Sequence, residues 1–110
     1  MKTIRIVSES AAVGKRLRDI LYQDGYPEIT LSDISAMPES RQDDILIIYA
    51  KTHISDLMQQ TAACGGRVLL LLNPDCYAMF LERARHAGIT PLLMPVAPFV
   101  LLDAVRRAIS

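Results

Sequence analysis

The candidate nucleophiles in this sequence are the hydroxyls of Ser8 and Ser10 and the thiol of Cys76. Each would need a base within hydrogen-bond reach. The chain offers two imidazoles, His53 and His86, and no motif ties either of them to those nucleophiles. An enzyme is therefore not expected. Cys64 and Cys76 form no C-x-x-C pair and have no second ligand pair beside them. They read as free thiols in a reducing compartment, and neither metal nor cofactor is expected. His53 lies in a polar stretch with Lys51 and Thr52. At a helix N-terminus it could meet an anion, but a lone loop histidine usually has no such task. His86, beside Arg83 and Arg85, suits the negative end of a helix.

Composition narrows the classes further. The 110 residues suit one domain, 1–110, with 51% hydrophobic and 22% charged residues. Twelve basic and twelve acidic residues cancel. Nucleic-acid binders normally carry a basic excess, so no nucleic acid is expected as partner. Near-neutral charge also leaves self-association unopposed. With four tyrosines, two phenylalanines and no tryptophan, a stacking platform for bases is missing. No apolar run reaches the roughly 18 residues of a membrane span. Met1-Lys2-Thr3-Ile4-Arg5-Ile6 alternates and carries an arginine, unlike a signal peptide. A cytoplasmic domain without membrane contact is the expectation.

The elements that must position these residues follow from periodicity. Ile45–Tyr49, Val68–Leu72 and residues 91–96 are short, continuous apolar runs, the mark of parallel strands covered on both faces. Ile4-Arg5-Ile6-Val7 and Glu28-Ile29-Thr30-Leu31 add two strands, the second nearer an edge. Between them run helical stripes. Val13, Leu17, Ile20 and Leu21 stop at Gly25. Ile54, Leu57, Met58, Thr61 and Ala62 stop at Gly65-Gly66. Tyr77, Phe80, Leu81, Ala84 and Ala87 stop at Gly88. Asn73-Pro74-Asp75 opens the third stripe with a capping side chain, a first-turn proline and an acid. Leu101, Leu102, Val105 and Ile109 form the last, with Arg106 and Arg107 near its negative end. Alternating strands and helices predict a doubly wound α/β fold of flavodoxin-like type, five parallel strands in the order 2-1-3-4-5. Residues 32–42 carry no good stripe, so the second helix is expected to be short or missing.

Four segments in order resemble the receiver (CheY-like) domains of two-component signalling, most closely those of hybrid sensor histidine kinases. Ser8-Glu9 stands before Gly25-Tyr26 as the acidic pair of receivers stands before the Gly-Tyr after their first helix. Asp43-Asp44-Ile45-Leu46-Ile47-Ile48-Tyr49 resembles the Pro-Asp-Leu-Val-Leu-Leu-Asp run of their third strand. Ala87-Gly88 followed by Leu92-Leu93-Met94-Pro95-Val96 resembles Ala-Gly…Tyr-Leu-x-Lys-Pro. Pro98-Phe99-Val100-Leu101-Leu102 resembles the opening of their last helix.

The resemblance implies a phosphorylation site that this chain has lost. Active receivers hold Mg²⁺ with two acids, accept phosphoryl on an aspartate, and contact it with a Ser/Thr and a Lys. Here Ser8 replaces the first acid and Glu9 keeps the second. Tyr49 replaces the acceptor, and a phenol cannot form an acyl phosphate. Leu72, or Asn73 if the register slips by one, replaces the hydroxyl residue. Met94 replaces the lysine, and Pro95 keeps its proline. One carboxylate suits Mg²⁺ poorly; Glu9 serves equally as a first-turn helix acid. Tyr49 is expected to plug the emptied pocket, its ring packed and its hydroxyl at the rim. Asp43, Asp44 and Asp24 read as surface acids.

Function then passes to binding. The implied module is a phosphorylation-independent pseudo-receiver within a larger signalling protein, docking a kinase or output domain, with a homodimer through helix 4, strand 5 and helix 5 of the family as a further option. The apolar rim segment Met94-Pro95-Val96-Ala97-Pro98-Phe99 is the expected contact, joined by Tyr77, Met79, Arg83 and Arg85 on one side and Asp103, Arg106 and Arg107 on the other. Val96 and Phe99 could instead anchor the loop on the core. Met37, Met58, Met79 and Met94 could form an adaptable surface, although Met58 fits a core stripe. The alternative is a small-ligand sensor, since ligands bind at the carboxyl edge of such sheets. Ser8-Glu9-Ser10-Ala11 offers it no G-x-G-x-x-G loop.

Overall fold

Every residue of Ile45–Tyr49 and of Val68–Leu72 is buried, which places these two strands at the centre of a sheet covered on both faces. The computed structural model describes residues 3–26, 28–33, 45–61 and 67–109. Its strands are β1 (Ile4–Ser8), β2 (Ile29–Asp33), β3 (Ile45–Tyr49), β4 (Val68–Leu72) and β5 (Thr90–Leu93). Its helices are α1 (Ala11–Gln23), α2 (Ile54–Thr61), α3 (Pro74–His86) and α4 (Pro98–Ile109). The five strands are all parallel and run in the order β2-β1-β3-β4-β5, as expected from the sequence.

Strand alternation divides the interior in two. Ile4, Ile6, Ile45, Ile47, Tyr49, Leu69 and Leu71 face α1 and α4, meeting Leu17, Leu21, Leu101 and Val105. Val7, Leu46, Ile48, Val68, Leu70 and Leu72 face α2 and α3, meeting Ile54, Leu57, Met58 and Ala84. Burying each such aliphatic side chain stabilises the fold by roughly 1.5–3 kcal/mol before entropy is counted. The edge strand β2 is mostly exposed, consistent with its weaker pattern.

Local chemistry fixes the helix ends. The Ser10 hydroxyl accepts from the Val13 N–H at 3.3 Å and caps α1. Gly25 (φ 94°) and Gly88 (φ 76°) leave their helices in the left-handed region that glycine tolerates. Gly14 answers a different need. A Cβ there would lie 2.7 Å from Leu31 Cδ1 and 3.2 Å from Ser8 Cβ, so its bareness lets α1 press against the ends of β1 and β2.

Two expectations shift. The fifth strand ends at Leu93, not at residue 96. Pro95 has no N–H to continue the ladder, and the chain turns so that Val96 drops into the core. Asn73 is the N-cap of α3 but makes no side-chain cap bond; its carboxamide is used elsewhere. The link with a short or missing second helix lies, from residue 34 onward, outside the described residues, as do Asp43, Asp44, Met37, Cys64 and Gly65-Gly66.

Candidate functional site: the carboxyl edge of the sheet

The strand ends bring Ser8, Tyr49 and Leu71 to one level, with Ser8 paired to Tyr49 and Tyr49 to Leu71. The Glu9 N–H donates to the Tyr49 carbonyl at 3.1 Å, closing the β1–β3 edge. Tyr49 is 6% exposed and its ring belongs to the α1–α4 side of the core. Its hydroxyl donates to Asn73 Oδ1 at 3.2 Å. That bond occupies the oxygen with which Asn73 would otherwise cap α3. Of the neighbouring pair, Leu72 is fully buried on the opposite face, and Asn73 is the residue that reaches Tyr49.

Ser8 is buried and turned inward on its own chain. Its hydroxyl donates to the Ser10 carbonyl at 2.6 Å and accepts from the Ser10 N–H at 3.1 Å. Met94 is half-buried against the core, where its thioether offers no charge to an anion. Pro95 is exposed.

Glu9 departs from its expected place as a first-turn acid: α1 has no acid in its first turn. The carboxylate crosses to the β3–α2 loop instead. Oε1 accepts from the Thr52 N–H at 3.0 Å and from the Thr52 hydroxyl at 3.0 Å. Partial burial pushes its pKa upward, but the backbone N–H groups of Thr52 and Lys51, the Thr52 hydroxyl and the Lys51 charge outweigh this, and the pKa sits below the ordinary value. These bonds hold a strained loop. His53 has φ 55°, uncommon for a side chain with a Cβ, and its carbonyl accepts the Leu57 N–H that starts α2.

A depressed carboxylate pKa makes a testable linkage. Glu9 stabilises the fold fully above its unfolded pKa, and that contribution disappears as pH falls through the lower folded value. Glu9→Gln is expected to cost roughly 0.5–1 kcal/mol near neutral pH. The wild-type advantage should begin to shrink in urea titrations as pH falls past the ordinary glutamate value of about 4.3 and vanish only below the lower folded value. An advantage independent of pH would mean that the Glu9 charge plays no part.

Beside Glu9 lies an open cleft of about 500 Å³, lined by Asp33, Thr52, His53, Asp56, Leu57 and Gln60 as well. Among the described residues, no three His, Cys, Asp or Glu side chains gather closely enough to hold a metal ion. Cys76 Sγ lies 4.0 Å from the Lys51 carbonyl, apart from Ser8 and Ser10.

The expected partner-binding residues divide into buried and exposed groups. Val96 anchors the rim on the core, whereas Phe99 is 74% exposed. Tyr77 packs partly against α3's side of the core. Arg83 donates to Ser55 Oγ at 3.1 Å and lies 5.2 Å from the Phe80 ring centroid. Arg106 meets Asp24 at 3.5 Å, tying α4 to the end of α1, and Asp103 pairs with Arg107 at 3.1 Å within α4. Leu93 on edge strand β5 and Val100 on α4 are exposed apolar residues that the sequence reading did not single out; their apolar runs concealed which members faced outward. Met58 is core and Met79 is surface. No helix among the described residues is long and apolar enough to cross a membrane.

No protein-family model matches the chain, and neither does any curated protein.

Proposed function

We propose that this chain is a pseudo-receiver: a phosphorylation-independent binding module of two-component signalling that works in the cytoplasm and docks a kinase or output domain of the same or another signalling protein. One observation carries the reading. The position that would hold the phosphoacceptor is filled by Tyr49, whose ring is packed in the core and whose hydroxyl is bonded to Asn73. The surrounding residues support it. Ser8 is bonded to Ser10, Glu9 is committed to Thr52, and Met94 supplies no cation. Electrostatic stabilisation of a transferring phosphoryl group needs charges in just these places.

The docking surface in this reading is α3, β5 and α4, where Leu93, Pro95, Phe99 and Val100 are exposed beside Asp103 and Arg106. Apolar residues framed by charges are typical of a protein interface. The small-ligand alternative has the open cleft beside Glu9 in its favour. That cleft presents Glu9, Asp33 and Asp56 and no phenylalanine, tyrosine or tryptophan, which disfavours flavins and nucleotides.

Incubation with acetyl phosphate and Mg²⁺, read by intact mass, tests the proposal. The expected mass is unchanged. A phosphoryl adduct on any carboxylate of the sheet edge would overturn it.

A further inference from the structure

Helix α3 carries two exposed charges that meet no opposite charge among the described residues. Asp75 stands in its first turn and has no cation against it; Arg83 stands two turns on, held by Ser55 and Phe80 but by no carboxylate. The neighbouring charges behave differently: Glu82 is 3.8 Å from Arg85, and Asp103 is 3.1 Å from Arg107. Midway between Asp75 and Arg83 is Met79, 71% exposed.

Asp75, Met79 and Arg83 are spaced at i, i+4 and i+8, so they form one continuous ridge on the helix. Its acid lies at one end, its base at the other, and a flexible apolar side chain at the centre. We infer that this ridge is a self-complementary contact for a second copy of the chain. The two α3 helices pack antiparallel about a two-fold axis beside Met79. With a rise of about 1.5 Å per residue, Asp75 and Arg83 each lie about 6 Å from Met79 along the axis. The two-fold therefore sets Asp75 of each copy level with Arg83 of the other, and the two Met79 side chains meet between them. Rows of i±4 residues pack on one another in the commonest class of helix crossing, and an isologous contact needs this kind of self-matching. A net charge of zero leaves the approach unopposed.

The contact is small. A helix of 13 residues is about 20 Å long, and one face of it buries less than the roughly 800 Å² per partner of a standard interface. The dimer is accordingly weak, with a dissociation constant on the order of 100 μM. The ridge lies on α3, one element of the docking surface proposed above, but it uses neither Leu93 of β5 nor Phe99 of α4, and it is argued from exposure and charge without the pseudo-receiver reading.

Sedimentation equilibrium of the full chain between about 10 μM and about 1 mM brackets that affinity. A monomer–dimer equilibrium is expected. Asp75→Lys and Arg83→Glu should each weaken it at least tenfold. An equimolar mixture of the two should restore it as a heterodimer, because every facing pair is then opposite in charge. Met79→Glu, at an exposed position outside the core, should abolish it. A wild-type chain that is monomeric at 1 mM would overturn the inference, as would a dimer indifferent to Met79→Glu or a mixture that fails to reassociate. A dimer lost on Phe99→Glu but kept on Met79→Glu would also overturn it, leaving the proposed function standing.

Discussion

Tyr49→Asp, which places a carboxylate where the proposed reading puts a lost phosphoacceptor, is expected to cost at least about 3 kcal/mol of folding stability and to gain no phosphotransfer. Removing a packed aromatic ring costs about 3–5 kcal/mol, and this ring is 6% exposed within the α1–α4 side of the core. The replacement adds a carboxylate with little access to water. Neither Ser8, bonded to Ser10, nor Met94 brings it a cation. In a chain of 110 residues, about 3 kcal/mol corresponds to a fall of more than about 10 °C in Tm. The deficit should grow above the carboxyl's unfolded pKa, because burial favours the protonated form and raises the folded pKa. Tyr49→Phe separates ring from hydroxyl. It loses one hydrogen bond but frees Asn73 to cap α3, so its net effect should stay within about 1 kcal/mol. Thermal and urea unfolding of both variants checks the pair. A Tyr49→Asp chain as stable as wild type would mean that the pocket is open rather than filled.

Truncation in the centre of the sheet should match that loss. Leu71 is fully buried on β4 and pairs in register with Tyr49. Leu71→Ala removes apolar contacts from both sides of the ladder and leaves a cavity that rigid neighbouring strands fill poorly, at a cost of about 3 kcal/mol. Leu31 on the edge strand is 38% exposed, so Leu31→Ala should cost less than about 1 kcal/mol. Urea titrations with unchanged m-values measure both. Equal losses at the two positions would contradict the partition into centre and edge.

Much of this architecture was legible because its signals are local or periodic. The apolar runs of β3 and β4 have no polar face, and that alone demands a sheet covered twice. Glycines closed α1 and α3 at the expected places, since a residue without Cβ adopts the φ found at Gly25 and Gly88 at least cost. The strand order followed from connection rules rather than from any single residue. The site was read less completely. The packed ring of Tyr49 is a matter of size and position, and it was anticipated. The Tyr49–Asn73 bond was not, because Asn73 carries a strong local capping signal and the competing donor sits on another strand. Glu9 likewise carried a helix-start signal that the chain does not use; its partner Thr52 lies 43 residues away. The tight seat of α1 on Ser8 and Leu31 left one trace in the sequence, a glycine inside a helical stripe at position 14.

The proposed loss of phosphoryl chemistry is best tested by amide NMR spectra of the isotopically labelled chain during titration with Mg²⁺ and beryllofluoride, an acyl-phosphate mimic. The account predicts that the signals of Ser8, Glu9, Tyr49, Thr52 and Asn73 stay where they are at every concentration. Saturable shifts confined to those residues would contradict it.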